Sequence, residues 1–326
     1  MLLVEPGRFD WVDVTDPSPG PGEIVVRAHC TGICGTDLHI VEGSHPRARM
    51  PLAIGHEMVG FPESGPLLGR PVLVDPLLPC GTCTACSSGT PNACAHLRLI
   101  GIDRDGALAG RVPVASERLH PIPPGIPEDL ATLAEPLAVA VHAVRRVPSL
   151  IGRLVVVIGG GPVGLLVAHV ARRAGASVLI AEPFQGRREL ASDLGFGVLD
   201  DNDPVGDLED RTDGLLADVA FDAAAVPAVA SMLHRVVRPG GCVAIVGAYS
   251  RPSPIDLQAV MFKELQIVGH RTYLPADIDA ALQILVDDQV VVSRLHTATV
   301  ASADIGETIA KLRAGQGMKY VVLVVP

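Results

Sequence analysis

The sequence predicts an α/β protein, a doubly wound parallel sheet covered by helices and joined to a β-rich region. Three observations predict it. From about residue 139 strand-like and helix-like stretches alternate, and the strands are continuous apolar runs, as in a parallel sheet buried on both faces. Before that point the chain is rich in Pro, Gly and short alternating runs. Examples are Glu23-Ile-Val-Val-Arg-Ala-His29 and Pro71-Val-Leu-Val-Asp75, the texture of short strands linked by turns. A glycine turn, Gly159-Gly-Gly161-Pro-Val-Gly164, falls where the first apolar strand hands over to the first helix.

In the alternating part, strands are expected at 154–158, 177–181, 197–199, 218–222, 242–246 and 265–268, with helices at 162–174, 186–194 and 227–237. Pro162 suits a first helical position and Gly175 a C-terminal cap. Six such strands fit a doubly wound dinucleotide-binding (Rossmann) fold. After about 275 come helices at 277–287 and 303–314 and a strand at 320–325, a tail expected to return to the β-rich domain. The expected division is therefore 1–138 with 275–326, and 139–274.

The 326 residues suit one or two domains, and 48% hydrophobic against 19% charged residues exclude a disordered chain. A net charge of −10 makes nucleic acid a poor partner. Residues 200–218 hold eight acids (Asp200, Asp201, Asp203, Asp207, Glu209, Asp210, Asp213, Asp218) against Arg211, the pattern of a solvated face. The most apolar stretch, 154–171, is broken by Gly159, Gly160, Gly161, Pro162 and Gly164, so no membrane span is expected. The start MLLVEPGRFDWVDV has neither a basic region nor a long apolar run, so the expected location is the cytoplasm.

Seven cysteines in such a chain point to metal before disulfide. Cys80, Cys83, Cys86 and Cys94 follow the spacing C-x2-C-x2-C-x7-C, which can close a thiolate tetrahedron around zinc and leave no position for substrate. Gly81 and Gly89 allow the backbone to turn around the metal. An iron–sulfur cluster or a redox-active Cys-x-x-Cys are the rivals, and a ferredoxin-like run would carry Pro where Ala95 follows Cys94. Cys30 and Cys242 lie in apolar strands and read as inert core.

A second set is dispersed. Cys34 lies in Gly32-Ile-Cys-Gly-Thr-Asp-Leu-His39, His56 and Glu57 in Gly55-His-Glu-Met-Val-Gly60, and Glu135 in Leu133-Ala-Glu-Pro-Leu137. A thiolate, an imidazole and a carboxylate would leave a fourth position open, the layout of a catalytic zinc. Each residue alone reads equally well as core or as a buried ion pair.

The glycine turn is a G-x-G-x-x-G (Gly159, Gly161, Gly164) between strand and helix, the context in which Pro162 and Val163 open a helix whose N-terminus favours a pyrophosphate. Glu182, at the end of the second strand, can accept from both adenosine ribose hydroxyls and repel a 2′-phosphate, which favours NAD over NADP. Arg187 and Arg188 nearby are the counter-signal, as either could bind a phosphate.

Taken together these motifs resemble the zinc-containing medium-chain alcohol dehydrogenases, in the polyol (sorbitol-like) and threonine dehydrogenase branch. The matching pieces are Cys34-Gly-Thr-Asp-x-His39, Gly55-His-Glu57, Asp75-Pro-Leu-Leu-Pro-Cys80 with its cysteine loop, Glu135-Pro-Leu137, the glycine turn and Lys263-Glu-Leu, in the family's order over almost the whole chain. The resemblance implies a β-rich GroES-like catalytic domain and a Rossmann cofactor domain. It implies two zinc ions per chain, one structural on the four cysteines and one catalytic on Cys34 and His56 with Glu57 or Glu135 as third ligand. It implies a proton relay through Thr36 and His39, and NAD-linked oxidation of the secondary hydroxyl of a polyol, sugar acid or amino alcohol. The alternatives are an L-threonine 3-dehydrogenase-type activity or a non-catalytic nucleotide-binding relative. The resemblance also implies a homodimer or homotetramer, with Cys242–Val246 and Ser253–Leu257 at the dimer edge. Arg271 and Tyr273 are further candidates for touching cofactor or substrate. The family is usually longer where this chain reads Phe61-Pro-Glu-Ser-Gly-Pro-Leu-Leu-Gly-Arg70, which leaves the substrate open.

Overall fold

A computed structural model describes residues 1–324. The expected terminal strand reaches Val325, which lies outside the described residues. The chain forms two compact units, one of Met1–Glu135 with the segment from Leu274 onward, the other of Pro136–Tyr273.

The second unit is a six-stranded, wholly parallel sheet. Numbered in chain order, its strands are Leu154–Ile158, Ser177–Ala181, Gly197–Val198, Ala217–Asp222, Val237–Ile245 and Gln266–Gly269, and their spatial order is 3-2-1-4-5-6. This order places a topological switch point between the first and fourth strands, where such sheets bind dinucleotides. Val155, Val156, Val157 and Phe221 are fully buried, as central strands covered on both faces require. Helices Pro162–Arg173, Gln185–Asp193 and Pro227–Val236 follow three of the strands.

Two elements differ from expectation. The acidic stretch contains a helix, Pro204–Arg211, started by Asp203, whose side chain accepts the Gly206 N–H, and by Pro204 at its first position. It buries Val205 and Leu208 and turns Glu209 and Asp210 to solvent. The second difference concerns the sheet edge. Val237–Ile245, which holds the expected edge segment, is an inner strand paired on both sides, and the edge is Gln266–Gly269. Beside this edge strand Leu257, Met261, Phe262 and Ile267 are exposed.

The first unit is built on a seven-stranded, mostly antiparallel sheet. The path runs His296–Ala301, Lys319–Leu323, Glu23–Gly32, Glu57–Pro62, Val72–Val74 and Leu119–Pro121, with Arg111–Ala115 also paired to Glu23–Gly32. The tail thus adds two strands to the sheet that the first part of the chain begins. Val26, Met58, Val72, Val74, Ile100 and Val114 make a core under it. The register sets Gly32 opposite Glu57 on one side and opposite Val321 on the other.

Candidate functional site

In the first unit a short helix, Gly35–Val41, begins directly after Cys34. Asp37 starts it, its Oδ2 accepting the Cys34 N–H at 2.9 Å. Asp37 is fully buried, and its Oδ1 lies 3.6 Å from His56 Nδ1. His56 precedes the strand Glu57–Pro62, so the register of that strand against Glu23–Gly32 brings His56 and Glu57 back to Cys34. One ligand atom each of Cys34, His56 and Glu57 lie within 4.8 Å of one another.

Burial alone would lower the His56 pKa, but the Asp37 carboxylate and the Cys34 thiol reverse this and hold it well above the ordinary value. The pocket therefore favours positive charge at this spot. His56 Nδ1 and Asp37 Oδ1 are both buried without a hydrogen-bond partner and face each other at 3.6 Å, so the carboxylate steers the imidazole by charge, on the side where metal-ligating histidines carry such a group. A thiolate, an imidazole and a carboxylate with that support fit zinc with one position left open.

Glu57 is fully buried and paired. Lys319 Nζ donates to its Oε1 at 2.6 Å and its Oε2 at 2.8 Å, and also to the Ile33 carbonyl at 3.0 Å. Burial pushes the lysine's pKa down, but the charges of Glu57 and Cys34 outweigh it and the net shift is upward. Glu135 stands in the first turn of the helix Ala134–Arg145, outside the set of mutually close ligand atoms, and its charge also acts on Lys319.

Thr36 and His39 both lie on the Gly35–Val41 helix, three residues apart and so on one face. Thr36 Oγ1 lies 3.8 Å from Cys34 Sγ. His39 is half exposed, with Glu42 Oε2 3.9 Å from its Nδ1.

The four cysteines of the loop also come together. Cys83 Sγ lies 3.6 Å from Cys86 Sγ and 3.8 Å from Cys94 Sγ, and all four offer sulfurs within 4.8 Å of one another. Backbone N–H groups of Thr82 and Cys83 lower the Cys80 thiol to about 5, and desolvation beside Cys83 raises Cys86 to about 12. Four sulfurs this close repel as thiolates unless a cation joins them, and the closed set fits a structural zinc. Asp75 anchors the loop's approach, since its Oδ1 accepts the Leu77 N–H at 3.0 Å and its Oδ2 binds Arg118 Nη1 at 2.5 Å. Cys30 and Cys242 are buried elsewhere, and burial raises both thiols, so neither supplies a thiolate.

In the second unit Gly159, Gly160 and Gly161 link the strand Leu154–Ile158 to the helix Pro162–Arg173, with Gly161 its cap and Pro162 and Val163 its first residues. A Cβ on Gly164 would stand 1.8 Å from the Gly159 carbonyl oxygen, so only glycine lets helix and turn pack this closely. Around Gly161 only Arg187 Nη1, at 3.8 Å, is near the place of a Cβ, which leaves the helix N-terminus open to a pyrophosphate. The cradle fits a dinucleotide.

Glu182 is buried and braces the turn. Its Oε2 accepts the Gly160 N–H at 2.6 Å and its Oε1 the Phe184 N–H at 2.9 Å. The two arginines part company. Arg188 is committed to the Glu182 and Leu199 carbonyls at 3.2 and 2.7 Å. Arg187 lies over the Phe184 ring at 5.2 Å and 3.9 Å from Glu182 Oε2.

Three residues escaped the sequence reading. Lys319 has no local signature, because its partner is 262 positions away. Asp37 stands three residues after Cys34, at capping-box spacing, which is a usable signal. Asp222 ends the fourth strand, where its Oδ1 accepts the Ala224 and Ala225 N–H groups and its Oδ2 accepts the Tyr249 hydroxyl at 2.6 Å. Arg271 is exposed and Tyr273 fully buried.

Comparison with known proteins places this geometry in a family. Residues 20–124 match the alcohol dehydrogenase GroES-like domain, and residues 162–287 match the zinc-binding dehydrogenase domain. A 2-dehydro-3-deoxy-L-galactonate 5-dehydrogenase of Pseudoalteromonas atlantica is 37% identical, over 96% of this chain and 95% of that protein. The chain belongs to the zinc-binding alcohol dehydrogenases. A sorbitol dehydrogenase of Halalkalibacterium halodurans is 32% identical over 97% of this chain and 96% of its own. A zinc-binding dehydrogenase of Sinorhizobium meliloti, solved bound to NADP, superposes with a TM-score of 0.90 at 27% identity, covering 99% and 98% of the two chains. As in other zinc-binding alcohol dehydrogenases, a Rossmann unit accompanies a GroES-like unit here. Among the described residues no helix is long and apolar enough to cross a membrane.

Proposed function

We propose that this zinc-binding alcohol dehydrogenase oxidises the secondary hydroxyl of a polyol or sugar acid, reversibly, with NAD as hydride acceptor. The observation that carries this reading is the cluster of Cys34, His56 and Glu57, a thiolate, an imidazole and a carboxylate within 4.8 Å. Likeness to a sugar-acid and a sorbitol dehydrogenase supports a polar substrate. When bound, zinc on this set supplies a Lewis acid that lowers the pKa of a coordinated hydroxyl, and the dinucleotide supplies the hydride acceptor.

The remaining roles fall to the chain. Cys34 and His56 hold the metal, with Asp37 fixing the imidazole. Thr36, beside Cys34 Sγ, accepts the substrate's hydroxyl proton and passes it outward. His39, one turn further along the helix and half exposed, delivers it to water, a step suited to an imidazole, which can accept at one ring nitrogen and donate from the other. The glycine turn and the N-terminus of Pro162–Arg173 hold the pyrophosphate. Glu182 disfavours a 2′-phosphate by charge and by bulk, which supports NAD, and Arg187 holds the ribose side of the crevice. Cys80, Cys83, Cys86 and Cys94 hold the structural zinc. Two copies join at the Gln266–Gly269 edge, whose exposed Leu257, Met261, Phe262 and Ile267 need a cover.

The test is NADH absorbance with a panel of polyols, sugar acids, amino alcohols and L-threonine, repeated with NADP. Turnover on polyols or sugar acids that stops with a chelator and returns with zinc supports the reading. No turnover across the panel by folded, zinc-loaded protein overturns it.

A further inference from the structure

The chain has three lysines, Lys263, Lys311 and Lys319, and one of them is inside. Lys319 is 2% exposed, yet it spends all three of its protons, two on the Glu57 carboxylate and one on the Ile33 carbonyl. An ammonium is costly to bury, so its surroundings must compensate it closely. The compensation comes from the metal-ligand set itself, since Cys34, Glu57 and Glu135 all act on it. A thiolate and two carboxylates carry three negative charges. A divalent ion and one ammonium carry three positive charges. With zinc in place the lysine thus balances the two glutamates and the thiolate, and the Asp37 carboxylate beside His56 is one further negative charge in the pocket.

The sheet is built to permit the pairing. Lys319 opens the strand Lys319–Leu323, and the strand between it and Glu57 has Gly32 at the crossing point. A side chain there would fill the space that the Glu57 carboxylate occupies.

Resting on the reading of Cys34, His56 and Glu57 as the catalytic metal set, we propose that Lys319 is a positioning residue that keeps Glu57 an exchangeable ligand. Its ammonium holds both carboxylate oxygens beside the metal and competes with the ion for them. Substrate oxygen or Glu135 then finds the remaining position open.

The test uses the full-length enzyme and two readouts besides turnover: the rate at which the labile zinc is lost to a chelator, and the visible spectrum after cobalt replaces that zinc. Cys34→Ala serves as the blank, because the cysteine loop contributes equally to all samples. In Lys319→Met, Glu57 becomes a permanent ligand. Zinc loss is expected to slow by tenfold or more, and the cobalt bands are expected to shift. Lys319→Arg, which can still grip both oxygens, is expected to keep the wild-type spectrum and rate. Glu57→Gln is expected to leave the resting cobalt spectrum unchanged, and the double variant Glu57→Gln/Lys319→Met is expected to lose the shift.

Unchanged or faster zinc loss in Lys319→Met overturns the proposal. Should that variant not fold, a changed resting spectrum in Glu57→Gln overturns it equally. The wild-type protein supplies the separate control. If its labile metal is unaffected by Cys34→Ala, the assignment of the metal set fails, and with it the starting point of the proposal.

Discussion

A Cβ added to Gly32 would stand 2.0 Å from Glu57 Oε2. The two residues face each other across the pairing of Glu23–Gly32 with Glu57–Pro62, and no rearrangement of a flexible tip relieves the overlap, because the carboxylate is buried and gripped by Lys319. Gly32→Ala is therefore expected to push Glu57 and the adjoining His56 away from Cys34 and, through the loss of that imidazole, lower zinc content by about one ion per chain, leaving the cysteine-loop metal. Metal analysis by mass spectrometry after dialysis checks it, and full zinc occupancy would contradict it.

The cysteine loop predicts the reverse separation. Cys94 is fully buried and its Sγ accepts the backbone N–H groups of Cys80 and His96, both at 3.3 Å. Cys94→Ser is expected to release the structural zinc and lower the melting temperature by about 5 °C or more. The labile metal of the Cys34 set is expected to remain, read from the same samples by chelator kinetics.

Thr36→Ala tests the relay. It removes the hydroxyl 3.8 Å from Cys34 Sγ and no metal ligand. Turnover is expected to fall by about 10²-fold or more while zinc content and NAD binding stay as in the wild type. Ordinary turnover would take Thr36 out of the mechanism.

Glu182 has two tasks, bracing the Gly160 and Phe184 N–H groups and presenting charge to the cofactor. Glu182→Ala is expected to raise KM for NAD about tenfold, equivalent to about 1.4 kcal/mol, and to narrow the preference over NADP. Steady-state kinetics with both cofactors decides it, and an unchanged NAD to NADP ratio would remove Glu182 from selectivity.

Tyr249 gives a prediction with a pH sign. Burial and the neighbouring Asp222 carboxylate raise its phenol pKa above the ordinary value. A raised acid contributes stability while it is protonated in both states, and that contribution is lost as pH climbs past the unfolded value of about 10. Tyr249→Phe is expected to cost about 1–2 kcal/mol between pH 6 and 9, from the lost bond and from Asp222 Oδ2 losing that donor. The difference from wild type is expected to shrink above about pH 10, as denaturant titrations at several pH values would read.

Much of this was legible in the sequence for local reasons. The run Val155–Val157 is apolar without interruption because that strand is covered on both faces. The cysteine loop declared itself through spacing alone. The helix Pro204–Arg211 did not, since its acids outnumber its apolar residues, although Asp203, Pro204 and the pair Val205 and Leu208 are a start signal and a buried stripe. The edge of the parallel sheet lies one strand beyond Cys242–Val246, the segment that the resemblance implies at the dimer edge, because this run looks apolar from either position and burial depends on partners that composition does not name. Lys319 was invisible for the same reason, as a lysine before Tyr-Val-Val-Leu reads as a solvent-facing strand start until the register with Gly32 and Glu57 is known.

The split of the first unit across the chain has a consequence for synthesis. The dinucleotide unit is one contiguous run, Pro136–Tyr273, and can fold as soon as it leaves the ribosome. The metal pocket cannot be completed then, because the lysine that balances it arrives only at residue 319. A polypeptide interrupted before that codon carries a finished cofactor unit and an outer sheet without Lys319–Leu323, so His296–Ala301 has no strand to pair with and Glu57 has no ammonium beside it.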